Sequence, residues 1–195
     1  SKARPVFDLE PMHVLTLLSA MNKGFLEYKG PKGTKKHKPS DFFAGAVCSP
    51  FKKTEAELMA QYYKLKMKVA AGAKFIVSQI GFDARKIHEL IQFVKLNNWD
   101  IPVIGNIYVL SYETAKLMNQ NRIPGCVVTD KMLTELEDES KASDKGKEAR
   151  YLRAAKMYAI MKGMGYAGVH IGGLGTKYED IEYIIDKGEE LSKDW

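Results

Sequence analysis

Residues 71–83 read Ala71-Gly-Ala-Lys-Phe-Ile-Val-Ser-Gln-Ile-Gly-Phe-Asp83. The stretch closes one helical pattern, passes through a short β-branched run from Phe75 to Ile80, and leads into helical spacing again from Arg85 to Leu96. It predicts a strand between two helices, with Gln79 and Asp83 delivered to the strand's carboxyl end. Alternation places Phe75, Val77 and Gln79 on one face of that strand. Ligands in α/β proteins bind at the carboxyl ends of parallel strands. Gln79, whose amide carries both a donor and an acceptor, is therefore the leading candidate for a binding residue.

Working outward, the same alternation recurs. A helix is expected from about Leu9 to Met21, and Phe42 to Cys48 is a short apolar strand. Thr54-Glu-Ala-Glu57 then opens a helix as a capping box, with Leu58, Tyr62, Leu65 and Val69 on one face. After the central stretch come a strand from Pro102 to Ile107 and a helix from Tyr112 to about Asn121 that Ser111 can cap. Gly125 to Thr129 is a short apolar run, and the polar stretch from about 130 to 147 reads as partly helical and exposed. A helix spans roughly Glu148 to Lys162, Gly168 to Ile171 is the last strand, and Thr176-Lys-Tyr-Glu179 caps a final helix. Strands each followed by a helix imply parallel pairing with right-handed crossovers. Four such units fit half of a (β/α)8 barrel or a small doubly wound sheet, and periodicity does not choose between them.

The length of 195 residues and the 45% apolar composition suit a single domain over residues 1–195 with a sizeable core. No apolar run approaches the ~20 residues of a membrane span, and the first residues lack a signal-peptide pattern. A cytoplasmic protein is expected. Cys48 and Cys126 are distant in sequence and no Cys/His cluster has ligand spacing, so two free buried thiols and no metal site are expected. Much of the formal charge of +6 sits in Lys29 to Lys38, with five lysines and no acid. With its glycines and proline, the basic segment 29–39 reads as a mobile surface loop, with capture of an anionic ligand as the alternative. No aromatic-basic interleaving accompanies it, which argues against nucleic acid.

The residues 71–83 resemble the A-G-A-x-F-I-x-T-Q-x-F-F-D signature of the methylenetetrahydrofolate reductases. Arg4-Pro-Val-Phe-Asp8 is similar to the K-P-V-F-D-L-D-S segment preceding the fifth strand of that barrel, and Ala44-Gly-Ala-Val to its I-G-V-A-G strand. Leu65-Lys-Met-Lys-Val-Ala-Ala-Gly72 resembles L-K-x-K-V-D-A-G, Pro102-Val-Ile-Gly-Asn-Ile resembles P-I-I-P-G-I, and Gly168-Val-His-Ile resembles G-I-H-F. The order matches throughout. The resemblance implies a TIM-barrel fold, here the carboxyl half of a (β/α)8 barrel, and folate one-carbon chemistry in which reduced FAD passes hydride to methylenetetrahydrofolate.

It also implies roles. Gln79 and Leu174 fall at folate positions, and Lys68, Gln61 and Cys48 at flavin positions, while the family's catalytic Glu and folate-contacting Asp would precede Ser1. No catalytic residue is therefore assigned. The chain is expected to be part of a longer polypeptide or a proteolytic core, completed by an amino-terminal half or by self-association that covers its edge strands. Departures are as specific as matches. Cys48-Ser-Pro-Phe-Lys-Lys stands where the family has Y-P-E-x-H, Gln61 replaces an Asp, and Gly172-Gly-Leu-Gly replaces Y-T-L-N. Weak FAD binding or none is expected of this chain alone, with a folate-binding methyl-transfer partner or a non-catalytic half barrel as the alternatives to a reductase. Gly172, Gly173 and Gly175 ahead of a helix are a candidate anion cradle, with a plain turn as the other reading. His170 matches a family strand histidine and reads as a core residue.

Overall fold

A computed structural model describes residues 8–194. Arg4 to Phe7 of the first family tag lie outside the described residues. The chain runs α1 (Pro11–Lys23), β1 (Leu26–Tyr28), β2 (Thr34–Lys36), β3 (Gly45–Cys48), α2 (Glu55–Ala70), β4 (Phe75–Ser78), α3 (Ala84–Leu96) and β5 (Val103–Tyr108). It continues through α4 (Tyr112–Asn119), α5 (Asp130–Ser140), α6 (Lys147–Met164), β6 (Gly168–Gly172) and α7 (Tyr178–Leu191). Strands β3, β4, β5 and β6 form one parallel sheet in that spatial order.

The registers define two faces. Val47 pairs with Val77, Val77 with Ile104, and Asn106 with His170. Ile76, Val103 and Ile107 therefore share one face, where they are buried with Leu58 and Leu65 of α2, Ile87 and Leu90 of α3, Met161 of α6 and Ile184 of α7. Burying each such side chain is worth about 1.5–3 kcal/mol. The opposite face carries Val47, Phe75, Val77, Ile104, Asn106, Tyr108 and His170. Val47 is 50% exposed there and His170 is exposed. Helices α2, α3, α6 and α7 thus lie on one side, which is consistent with a barrel-type sheet, whereas a doubly wound sheet carries helices on both faces.

A second, smaller cluster sits over the carboxyl ends of β4 and β5. Leu110, Ala115, Met118, Cys126, Val128 and Leu136 are buried in it, with Ile80, Phe82 and Tyr108 packed against them. The segment 125–129 is irregular chain pinned by these side chains rather than a strand. The stretch expected to be exposed from 130 is the amphipathic helix α5, whose Leu136 is 3% exposed.

The caps at Thr54 and Ser111 form as expected, Thr54 Oγ1 accepting from the Glu57 N–H at 3.3 Å and Ser111 Oγ from Thr114 at 3.4 Å. The final helix differs: its N-cap is Lys177, whose N–H is bound by the Asp180 carboxylate at 2.9 Å, so Thr176 is not the cap. The expected strand from Phe42 begins only at Gly45, because reciprocal 2.8 Å bonds with the Asn22 amide hold Phe42 outside the ladder. The basic segment is not a loop. β1 and β2 form an antiparallel hairpin across it, closed by a 3-10 turn at Gly30–Lys32, with His37 bound to Glu27 at 2.8 Å and stacked on Phe25. Both cysteines are free and buried. No described helix is long and apolar enough to cross a membrane.

Candidate functional site

The β4–β5 ladder pairs Ile76 with Val103 and Val77 with Ile104, and then the strands part. Beyond that point the Asn106 N–H donates to Ser78 Oγ at 3.0 Å instead of to a main-chain carbonyl. The buried Ser78 hydroxyl satisfies a donor that the ladder leaves behind at the carboxyl ends of the two strands.

Gln79 follows directly on the carboxyl end of β4. Its main-chain N–H donates to the Cys48 carbonyl at 2.7 Å, keeping it in register with β3. Its Oε1 accepts from the Ile80 N–H at 2.9 Å, which orients the amide and turns Nε2 outward. Nε2 then faces Gly125, where an added Cβ would lie 3.5 Å from it. Among the described residues Nε2 donates to no protein acceptor.

Register extends this into a row. Two residues beyond the Val47, Val77 and Ile104 level lie Ser49, Gln79 and Asn106, and Asn106 pairs with His170. Alternation puts all four on the helix-free face. Asn106 Oδ1 lies 3.3 Å from His170 Nδ1, which ties the two side chains together across β5 and β6. Ser49 Oγ is buried with no protein partner. Gln79, Asn106 and His170 offer amide and imidazole groups to a flat polar ligand edge, while the Ser49 hydroxyl is closed off from solvent. His170 is thus an exposed member of this row and not a core residue. Ser49 and Asn106 carry no local sequence signal. Only the cross-strand register reveals them.

The other expected site residues are placed elsewhere. Cys48 is 2% exposed and belongs to the helix-side core, where burial pushes its thiol up to about 12; its side chain is not offered to the helix-free face. Lys68 Nζ donates to the Val47 carbonyl at 2.6 Å. Ala44 and Cys48 direct their carbonyls to β4, so that of Val47 points away from the sheet, and Lys68 closes an acceptor on the free edge of β3. Burial lowers the Lys68 pKa, with the Cys48 thiol opposing. Gln61 is half-buried about two turns earlier on α2. These three side chains do not converge on a common cradle.

The glycine-rich turn after β6, the candidate anion cradle, leads into a helix start that carries acids. Asp180 and Glu179 occupy the first turn of α7, and a bound anion would face both carboxylates. Bonds from the Lys177 N–H and the Tyr151 phenol hold Asp180 below the ordinary carboxylate range. The glycines have steric causes. A Cβ at Gly173 would meet Thr176 Oγ1 at 2.5 Å and Val109 Cβ at 3.0 Å, and Gly175 has φ +72°. Leu174 is 82% exposed on this turn. Asp83 caps α3; burial would raise its pKa, but the guanidinium and N–H of Arg85 outweigh this and hold it low. Among the described residues no cluster could hold a metal ion.

A parallel sheet with its helices on one side defines an α/β fold, consistent with a TIM-barrel type. Residues 36–187 match the family model for methylenetetrahydrofolate reductase, and the chain belongs to that family. No curated protein matches the chain. Among solved structures it is similar to an uncharacterized protein from Clostridium thermocellum that binds two copies of 5-methyl-5,6,7,8-tetrahydrofolic acid. The TM-score is 0.48 at 15% identity, over 77% of this chain and 54% of that one. The chain thus spans about half the length of that protein.

Proposed function

We propose that this chain is a reduced-folate-binding unit, a single partial-barrel domain over residues 1–195 forming the carboxyl half of a (β/α)8 barrel. The observation that carries the reading is Gln79, fixed through Oε1 with its NH2 turned outward on the helix-free face, in a member of a folate-dependent family. The pterin ring presents neighbouring donors and acceptors along one edge. The Gln79 amide donates to a ring acceptor, and Asn106 and His170 complete the row. Leu174, on its exposed turn, supplies an apolar contact to the more distant part of the ligand.

Flavin-mediated hydride transfer to methylenetetrahydrofolate is proposed only for a barrel completed by a second half, from an amino-terminal segment or another copy that pairs with the free edges of β3 and β6. The chain alone is expected to bind FAD weakly or not at all, and stoichiometric, submicromolar FAD binding would refute this. The placement of Cys48 and Lys68 favours the folate-binding role over the oxidoreductase role for the chain by itself.

The test is a calorimetric titration of 5-methyltetrahydrofolate. Gln79→Glu keeps the shape and removes the amide donor, leaving an unmatched acceptor at a cost of about 1–3 kcal/mol. Affinity should fall by roughly tenfold or more. Equal affinities for wild type and variant would remove Gln79 from the site.

A further inference from the structure

On the helix side of the molecule, a cleft of about 650 Å³ opens between the first turn of α3, the β3–α2 loop, α5 and α6. Its size is that of a small-molecule site. Six cationic side chains from these four elements line it: Lys52, Arg85, Lys86, Lys131, Arg153 and Lys156. The lining holds only two carboxylates, Asp83 and Glu135. Asp83 is engaged by Arg85.

The cations are not fully neutralised by their surroundings. Lys86 pairs with Glu55 and Glu89, and Arg153 with Glu139, but Lys52, Lys131 and Lys156 form no ion pair among the described residues. Arg153 Nη1 is buried without a protein acceptor. Arg85 and Lys86 stand in the first turn of α3, where the helix dipole disfavours positive charge. An anion in the cleft would relieve each of these features. The floor is apolar and partly aromatic, with Phe51, Phe82, Met157 and Ile160. A purely inorganic ion would leave that surface uncovered.

We infer that this cleft binds a small ligand joining two or more negative charges to a flat apolar ring, of the nucleoside diphosphate kind. The ring covers Phe82, Met157 and Ile160, and the charged groups lie among Lys52, Lys131 and Lys156. The site is separate from the polar row, since its lining contains none of Ser49, Gln79, Asn106 or His170.

The experiment is a calorimetric titration of the whole chain with ADP, with adenosine and pyrophosphate as separate arms. Saturable ADP binding is expected, with weaker binding of pyrophosphate and none of adenosine at about 1 mM. Lys131→Glu/Lys156→Glu changes two exposed positions and should lower ADP affinity at least tenfold. The control Lys64→Glu/Lys66→Glu, with the same change of net charge on α2, should leave it within about twofold. Binding of 5-methyltetrahydrofolate should be the same in all three proteins, which keeps this test apart from the folate reading. Absence of saturable ADP binding, adenosine binding as tightly as ADP, or equal losses in the two double variants would overturn the inference.

Discussion

The contact between α6 and α7 holds β6, and with it His170, in place, and one glycine sets its distance. Gly188 is buried within α7, and a Cβ there would lie 2.5, 2.8 and 3.0 Å from Cδ1, Cγ and Cβ of Tyr158. Ordinary carbon contacts are about 3.5–4.0 Å, so Gly188→Ala forces an overlap near 1 Å at the root of the ring. The ring cannot swing away cheaply, because its phenol donates to the Glu189 carboxylate while its Cβ is fixed to α6. Overpacking of this kind costs about 1–3 kcal/mol. Against it stands a helix-propensity gain of about 0.8–1.0 kcal/mol for Ala over Gly. The steric term is the larger, and the net loss is up to about 2 kcal/mol. Thermal unfolding followed by circular dichroism should show the midpoint lowered by up to about 8 °C. In a Tyr158→Ala background the ring contacts are gone and only the 3.0 Å Cβ contact remains, so the same Gly188→Ala change should cost less than in the wild type. A stabilising effect of equal size in both backgrounds would refute the packing argument.

Two further outcomes follow from the helix side. Tyr166, 8% exposed, donates from its phenol to the Ile87 carbonyl at 2.8 Å; Tyr166→Phe should cost about 0.5–1.5 kcal/mol in urea unfolding, with the m-value unchanged. No change in midpoint would contradict it. The Cys48 thiol, raised by burial from 9.0 to about 12 despite nearby Lys68 and Lys52, should resist a thiol reagent at pH 8 until the protein unfolds. Because the folded state holds this proton more tightly, its contribution to stability is complete below pH 9 and is lost as pH rises towards 12. Cys48→Ala should flatten that part of the stability profile, and an unchanged alkaline profile would contradict the assignment.

Local signals carried much of this fold. The capping box at Thr54, the hydroxyl of Ser111 and the β-branched run after Lys74 each specify their element through neighbouring residues alone. Alternation also put Gln79 on the face it occupies, because Phe75, Val77 and Gln79 need only one strand to be read together. What failed or stayed hidden depended on partners distant in sequence. Cys48 follows Val47 by one residue and so falls on the opposite face, a consequence of register that the family alignment did not convey. Ser49, Asn106 and His170 join Gln79 only because Val77 pairs with Ile104. Gly172-Gly-Leu-Gly read as a possible cradle because composition alone does not separate a glycine kept for an anion from one kept for clearance. Here Val109 and Thr176 require the clearance, and Asp180 already satisfies the helix start. The hairpin across the basic segment rests on Glu27 and Phe25, both outside the lysine run, which is why the run alone read as a loop.

The central claim is that reduced folate lies on the helix-free face against the polar row. A four-stranded sheet open at both edges leaves an open site, so the measurement should register weak binding and report its location. Titration of isotopically labelled protein with 5-methyltetrahydrofolate, followed by amide and side-chain NMR shifts, does both. The account predicts saturable shifts of the Gln79 side-chain NH2, the Asn106 amide and the His170 ring, with Ile87, Leu90 and Met161 on the helix side unmoved. Shifts confined to the outer helices, or none at saturating ligand, would contradict it.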